Sequence, residues 1–444
     1  MTLTQAAYWT RKFGVVIIVG VAIFIIGTLI ILSIPKNNAP SEYLQANYAC
    51  TEKKEEFLTN KLNIPSLSLA AGSDLVFEIE TVTGKVDSLP RIINVHKFNN
   101  VGQSLNSQGE AKILAGKLGF NPDTIQRRGT AEYLWFDSLT YRTLVVQARN
   151  LNFTLTTDFT KPTAIEHGVT LPSDNEAVTI ATNYLKGKSL LQDDYIKQTP
   201  QVTYINILPN GSLTQARSKV DAELIRVDFY RKASMISIRS NIEGAETMKT
   251  DLEKKLFQST TESMLTDKGR IDIYNFDTLV TFQNPNEPNI TVYIGPINKQ
   301  DKSSDTGNKS IYGARYTYWP LDTLPCGTYN LIPPATALDI VQQGKGSLVY
   351  LNEKNGDDVV AYTPKKVRKF TIYTVTLGYY ESTGEQKYLQ PVYIISGEAT
   401  LDSGIVGNFH YYVPAVDYNN VGDKIILTEP TEKDVDTGTL LQGQ

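Results

Sequence analysis

The chain has 444 residues, 41% of them hydrophobic and 20% charged, a balance that excludes a disordered chain and fits a folded one of several domains. A net charge of −4 at pH 7 argues against nucleic acid as a general partner. Two cysteines and three histidines offer few ligands for a metal, whereas 25 tyrosines suit half-buried strands.

The first element is Val15–Ile34, VVIIVGVAIFIIGTLIILSI, which carries no charged side chain. At ~1.5 Å rise per residue such a helix covers ~30 Å, the thickness of a bilayer's hydrocarbon core. It is apolar all round, where a soluble helix would keep a polar stripe. The sequence therefore predicts a single transmembrane helix over residues 13–34. Arg11 and Lys12 precede it, and Lys36 alone follows closely before Lys53 and Lys54. The positive-inside rule then keeps residues 1–12 in the cytoplasm and exports the body, as an uncleaved, single-pass signal anchor in the cell membrane. Cleavage is the competing reading, but the apolar run is long and Ala39-Pro40-Ser41 matches a cleavage site poorly. Gly20 and Gly27 lie seven apart on one helix face, which would let a membrane partner's helix pack closely.

Residues 35–65 read as a linker and a stalk helix, Glu42–Leu62, rich in charge at residues 52–56. Three α+β units are predicted next, over 66–170, 171–330 and 331–425. The first places a strand near Leu75–Glu80, a helix at Glu110–Leu118 capped by Gly119, and strands at Ala131–Phe136, Arg142–Ala148 and Asn152–Asp158. The second opens with the helix Ser173–Lys188, whose Ser173 and Glu176 have capping-box spacing. Its strands are Gln201–Leu208, Glu223–Arg231, Thr278–Phe282, Ile290–Ile294 and Ala314–Trp319. A helical insertion at 243–265 is read from Met248, Leu252 and Leu256 at four-residue intervals. The third has a helix at Ala335–Gln343, stopped by Gly344 and Gly346, then strands Lys369–Tyr379, Gln386–Ser396 and Gly407–Val413. Residues 426–444 are acidic and rich in Thr and Gly, a tail unlikely to fold. The predicted fold class is thus α+β: a transmembrane helix followed by two or three tandem helix-plus-antiparallel-meander domains.

The order at Asn175–Leu185, a helix with small and apolar residues at regular spacing followed by strands, resembles PepSY-type modules. The stretch with ATALDIVQQGKG, FTIYTVTLGYY, YLQPVYIISGEA and FHYYVPAV resembles the end of Yyc-type regulators. Those are single-pass bacterial membrane proteins whose tandem extracytoplasmic α+β domains restrain a sensor kinase through their anchors. The resemblance implies a PepSY- or cystatin-like fold and a regulatory role. It covers residues 173–188 and, better, 332–416, and it rests on element order and on Leu389-Gln390-Pro391-Val392-Tyr393 rather than on any reactive residue. Related modules also serve as protease-inhibitory propeptides.

His96, His167 and His410 are scattered, and neither His nor Cys pairs have metal-ligand spacing, so no metal, cofactor or catalytic set is expected. Ser33-Ile-Pro-Lys36 and Ser173-Asp174-Asn175 mimic serine-acyl motifs, but the first lies at the predicted membrane edge and the second reads as a helix cap. Asp305, Asp402 and Asp436 each start an Asp-[Ser/Thr]-Gly triplet, and only that of Asp402 has apolar flanks. Cys50 and Cys326 could form a disulfide in an exported body or stay as two buried thiols. Tyr316, Tyr318 and Trp319 could present an aromatic surface. Lys365, Lys366, Arg368 and Lys369 could meet an anionic polymer or lipid headgroups, or protect a strand edge.

These readings give a non-enzymatic, membrane-anchored regulatory or scaffolding protein acting through protein contacts at the cell envelope. The alternative is a binding module for peptide or cell-wall polymer, and a third reading is an aspartic-type envelope hydrolase.

Overall fold

A computed structural model of the full chain describes residues 46–81, 89–99, 104–165, 170–241, 244–254, 259–266, 269–296, 310–322 and 324–425. Among them the chain is mostly β, with nineteen strands and five α-helices. The described residues belong to one compact unit.

The strands gather into two large sheets. The first holds ten strands. Its main path runs β10 (Arg231–Arg239), β12 (Gly269–Phe282), β17 (Val367–Glu381), β18 (Tyr388–Leu401), β19 (Val406–Pro414) and β16 (Ser347–Glu353). Four strands attach beside that path: β11 (Ser259–Thr266) on β12, β1 (Phe77–Ile79) on β17, β2 (Ile92–Lys97) on β18, and β15 (Gly327–Asn330) on β2. The pairs β1–β17 and β12–β17 are parallel and the others antiparallel. The second sheet holds nine strands, all antiparallel. Its order is β3 (Gln126–Arg128), β4 (Glu132–Asp137), β5 (Arg142–Gln147), β6 (Phe153–Thr157), β14 (Ile311–Tyr316), β13 (Ile290–Ile294), β9 (Leu224–Phe229), β7 (Gln201–Ile207) and β8 (Leu213–Gln215).

Each sheet buries one face under helices, which is how an alternating strand hides its apolar side. On the second sheet lie α2 (Ser107–Lys117) and α3 (Asp174–Gly187), through Ala111, Leu114, Ala177 and Leu185 among others. On the first lie α4 (Ala245–Lys254), through Leu252, and α5 (Pro334–Gln342), through Leu338 and Val341. Helix α3 starts at the expected box: Ser173 Oγ accepts from the Glu176 N–H at 3.3 Å, and the Glu176 carboxylate accepts from the Ser173 N–H at 2.8 Å. α1 (Lys54–Leu58) is a short turn of helix in an otherwise irregular strap.

The expected tandem helix-plus-meander fold is therefore corrected. Helices α2 and α3 are each followed by strands, but these strands do not close sheets of their own. β6 and β9 reach across to β14 and β13 and merge the two meanders into one sheet. Part of the expected helical insertion, Ser259–Leu265, lies in strand β11 on β12. Its Ser-Thr-Thr run favours extended backbone, and backbone pairing with β12 decides over the Met248–Leu256 periodicity.

The single-pass membrane expectation is corrected as well. No helix among the described residues is long and apolar enough to cross a membrane. The run that carried it, residues 13–34 with Gly20 and Gly27, lies outside the described residues, as do residues 1–12 and 426–444. Membrane integration, a cytoplasmic N-terminus with an extracytoplasmic body, and pairing with a membrane partner's helix have no support from the described fold.

Candidate functional site

The chain passes four times from one sheet to the other, and the site forms at two of these crossings, β9 to β10 and β12 to β13. β9 ends at Phe229 and β10 begins at Arg231, with only Tyr230 between them. β12 ends at Phe282 and β13 begins at Ile290, with Gln283–Asn289 as the connection. Gln283 turns this corner at φ 59°, in the left-handed region that side chains other than glycine seldom adopt.

A buried ion network fastens the first crossing. Arg231 and Glu381 have fully buried side chains, and Arg231 Nη1 donates to Glu381 Oε2 at 3.1 Å and to the Trp319 carbonyl at 2.8 Å. Its Nε donates to Asp194 Oδ2 at 3.0 Å, and its guanidinium sits 5.2 Å over the Tyr318 ring. Burial pushes the Glu381 carboxyl up against the pull of Arg231. Arg231 stays protonated, because Glu381, Tyr195 and Asp194 outweigh the opposing effect of burial. The network joins β10 and the end of β17 to a short turn (Asp193–Tyr195) that packs on the second sheet's core.

Beside the second crossing lies a cavity of about 650 Å³. Four pieces of chain wall it: the Gln283–Glu287 connection, strand β16 with the loop after it, the strap at Pro65–Leu67, and Tyr380 with Thr383. The strap is held on β16, where the Leu67 N–H donates to the Leu348 carbonyl at 2.7 Å and Ser347 Oγ donates to the Ile64 carbonyl at 2.9 Å. The loop after β16 is latched to the other sheet. Its Asp357 carboxylate accepts from Thr214 Oγ1 and, at 2.8 Å each, from the Gln215 and Val359 N–H groups. Burial alone would raise the Asp357 carboxyl, but these donors outweigh it and hold it below the usual range. The second crossing is braced by Tyr230, whose hydroxyl donates to the Asn286 carbonyl at 3.3 Å.

The polar groups of the cavity converge on Asp358. Its Oδ1 accepts from the Tyr350 hydroxyl at 2.6 Å and from Asn352 Nδ2 at 2.9 Å. Behind Tyr350 the His410 ring lies 5.2 Å away, with its Nδ1 2.6 Å from Ser396 Oγ. Burial pushes the His410 imidazole down to about 4, so it is neutral near pH 7. Planar amides and carboxylates beside tyrosine rings form a surface suited to ligands that carry hydroxyl and amino groups.

Most residues singled out in the sequence lie elsewhere. Tyr316 is buried and stacks on Phe153 at 5.4 Å, Trp319 is buried in the first sheet's core, and Tyr318 is half-buried under Arg231. They build the seam rather than an open aromatic platform. Lys365 does line the cavity, 3.6 Å from Glu353. Lys366 lies 3.5 Å and Arg368 3.0 Å from Asp402, and Lys369 lies 2.9 Å from Glu78. Asp402 is exposed, and its hydrogen bond from Arg368 holds its carboxyl below the ordinary range, a setting opposite to a proton-sharing carboxylate pair. Cys50 and Cys326 are joined in a disulfide. His96 is buried, with Nε2 3.0 Å from the Ser234 carbonyl. His167, Asp305 and Asp436 lie outside the described residues. Among the described residues no group of three or more His, Cys, Asp or Glu is placed to hold a metal.

No family model matches the chain, and no curated protein matches it. Among solved structures it is similar to an uncharacterised protein from Eubacterium rectale ATCC 33656, with a TM-score of 0.37 and 10% identity over 87% of this chain and 98% of that one. A likeness at that level carries no argument about this chain.

Proposed function

We propose that the chain is a non-enzymatic binding module whose seam cavity takes a saccharide polymer or its fragments. The single observation that supports this is the cavity of about 650 Å³ lined by Tyr350, Tyr362 and Tyr380 together with Asn284, Asn286, Asn352 and Asp358. That volume is in the range of small-ligand sites, and the lining offers many fixed donors and acceptors beside aromatic surface. Its walls come from β16, the end of β17, the strap and the connection between the sheets, braced by Tyr230 and Asp357, so the polar groups are pre-positioned and binding loses little conformational entropy.

The test is calorimetric titration of the chain with neutral, amino and acidic oligosaccharides and with peptides of similar length. Val360 lines the cavity at 56% exposure, so Val360→Trp fills the site without disturbing a core. The expected result is saturable binding of a saccharide, weakened at least tenfold by V360W at an unchanged melting temperature. Binding that V360W leaves intact would remove this reading, and so would selective binding of peptides.

A further inference from the structure

The cavity's ionised groups are unevenly balanced. Four carboxylates line it, Glu287, Glu353, Asp357 and Asp358, against one lysine, Lys365. Three of the four are satisfied within the fold: Glu287 pairs with Arg315, Glu353 lies 3.6 Å from Lys365, and Asp357 holds three donors as a latch. Asp358 differs. Its hydrogen bonds come from two neutral groups, the Tyr350 hydroxyl and the Asn352 amide, and both reach Oδ1. Among the described residues Oδ2 accepts no hydrogen bond, and no cation lies within ion-pair distance of it.

We infer that the ligand carries an amine and that Asp358 is its counter-ion: the cavity selects an amino sugar over the N-acetylated or uronic acid equivalent. This rests on the seam-cavity reading above and deepens it. The Tyr350 and Asn352 donors fix the carboxylate's orientation and leave its second oxygen for an ammonium N–H. Such a charge-assisted bond is roughly twice as strong as a neutral one. The Tyr350 ring beside it adds attraction for a cation, whereas a uronate would bring like charge to the lining.

The experiment is calorimetric titration of the full chain with three oligosaccharides of equal length: a β-linked 2-amino-2-deoxyglucose oligomer, its N-acetylated form and a uronic acid oligomer. Each is measured at 50 and 500 mM salt, against wild type and Asp358→Asn. The expected result is an amine form bound about tenfold more tightly than the N-acetylated form at low salt. That ratio should shrink at high salt and fall to about one in D358N, whose melting temperature stays at the wild-type value. A wild-type ratio near one, a ratio that survives in D358N, or a preference for the uronate would overturn the charge assignment while leaving the cavity reading in place. Failure of all three sugars to bind would overturn both.

Discussion

Glu381 sits in the seam with no exposed surface, and its charge is tolerable only because Arg231 is equally buried beside it. Desolvation takes back much of what such a pair gains, so its worth shows mainly when one partner is lost. Arg231→Met should therefore destabilise the fold by about 3–5 kcal/mol, and R231M/E381M should recover part of that, as measured by urea denaturation. An R231M loss below about 1 kcal/mol would mean that the network is not what fastens the two sheets. His410 supplies a pH dependence whose sign is set by burial. Its folded value of about 4 lies below the ordinary 6.5, so the unfolded chain takes up the proton first as pH falls. The stability tied to neutral His410 is complete above about pH 6.5 and is lost progressively towards pH 4, with His96 shifted in the same direction. His410→Gln should flatten the fall in urea midpoint between pH 7 and 4.5. A slope equal to wild type would show that this side chain does not carry it.

Local chemistry wrote several elements clearly enough to read. The Ser173/Glu176 spacing announces the start of α3, and Gly119 follows α2 at φ 90°, where a side chain would be strained. Ser173→Ala should cost about 1 kcal/mol in stability, read from the same urea curves, since it frees the Glu176 N–H. Elements that depend on distant partners were not legible. The strap around α1 carries a helix-like charge pattern, but Tyr48 and Phe57 are buried against Tyr329 in the core, and that packing fixes an irregular path. Strand β11 was hidden because its residues are mostly polar and exposed, and only pairing with β12 fixes their extended backbone. The site was hidden for a related reason. Asn284-Pro285-Asn286 and Asn355-Gly356-Asp357-Asp358 have turn composition, and nothing local says that these two turns meet at one cavity. Asp357 makes that meeting happen through Thr214 and Gln215, so Asp357→Ala should weaken ligand binding at least fivefold by calorimetry while the melting temperature falls by only a few degrees.

The two sheets are assembled from segments far apart in sequence, which is why patterning gave helices and many strands but not the architecture. β2 pairs with β15 and β18, and β6 pairs with β14, across long stretches of intervening chain. The Cys50–Cys326 disulfide spans 276 residues and ties the strap to the strand pair β2–β15 through the aromatic cluster of Tyr48, Phe57, Tyr329 and Tyr388. Closing so long a loop restrains the unfolded chain strongly, so C50A/C326A should lose about 2–5 kcal/mol. The strap also forms one cavity wall, and the double variant should bind ligand more weakly than its stability loss alone explains.

The claim on which the rest turns is that ligand enters the seam between the sheets, and hydrogen–deuterium exchange of the chain with and without a saturating oligosaccharide tests it directly. The expected footprint is protection at residues 283–287, 349–353 and 357–363, with weaker protection at 65–67 on the strap. Binding that protects other segments and leaves these four unchanged would contradict the account.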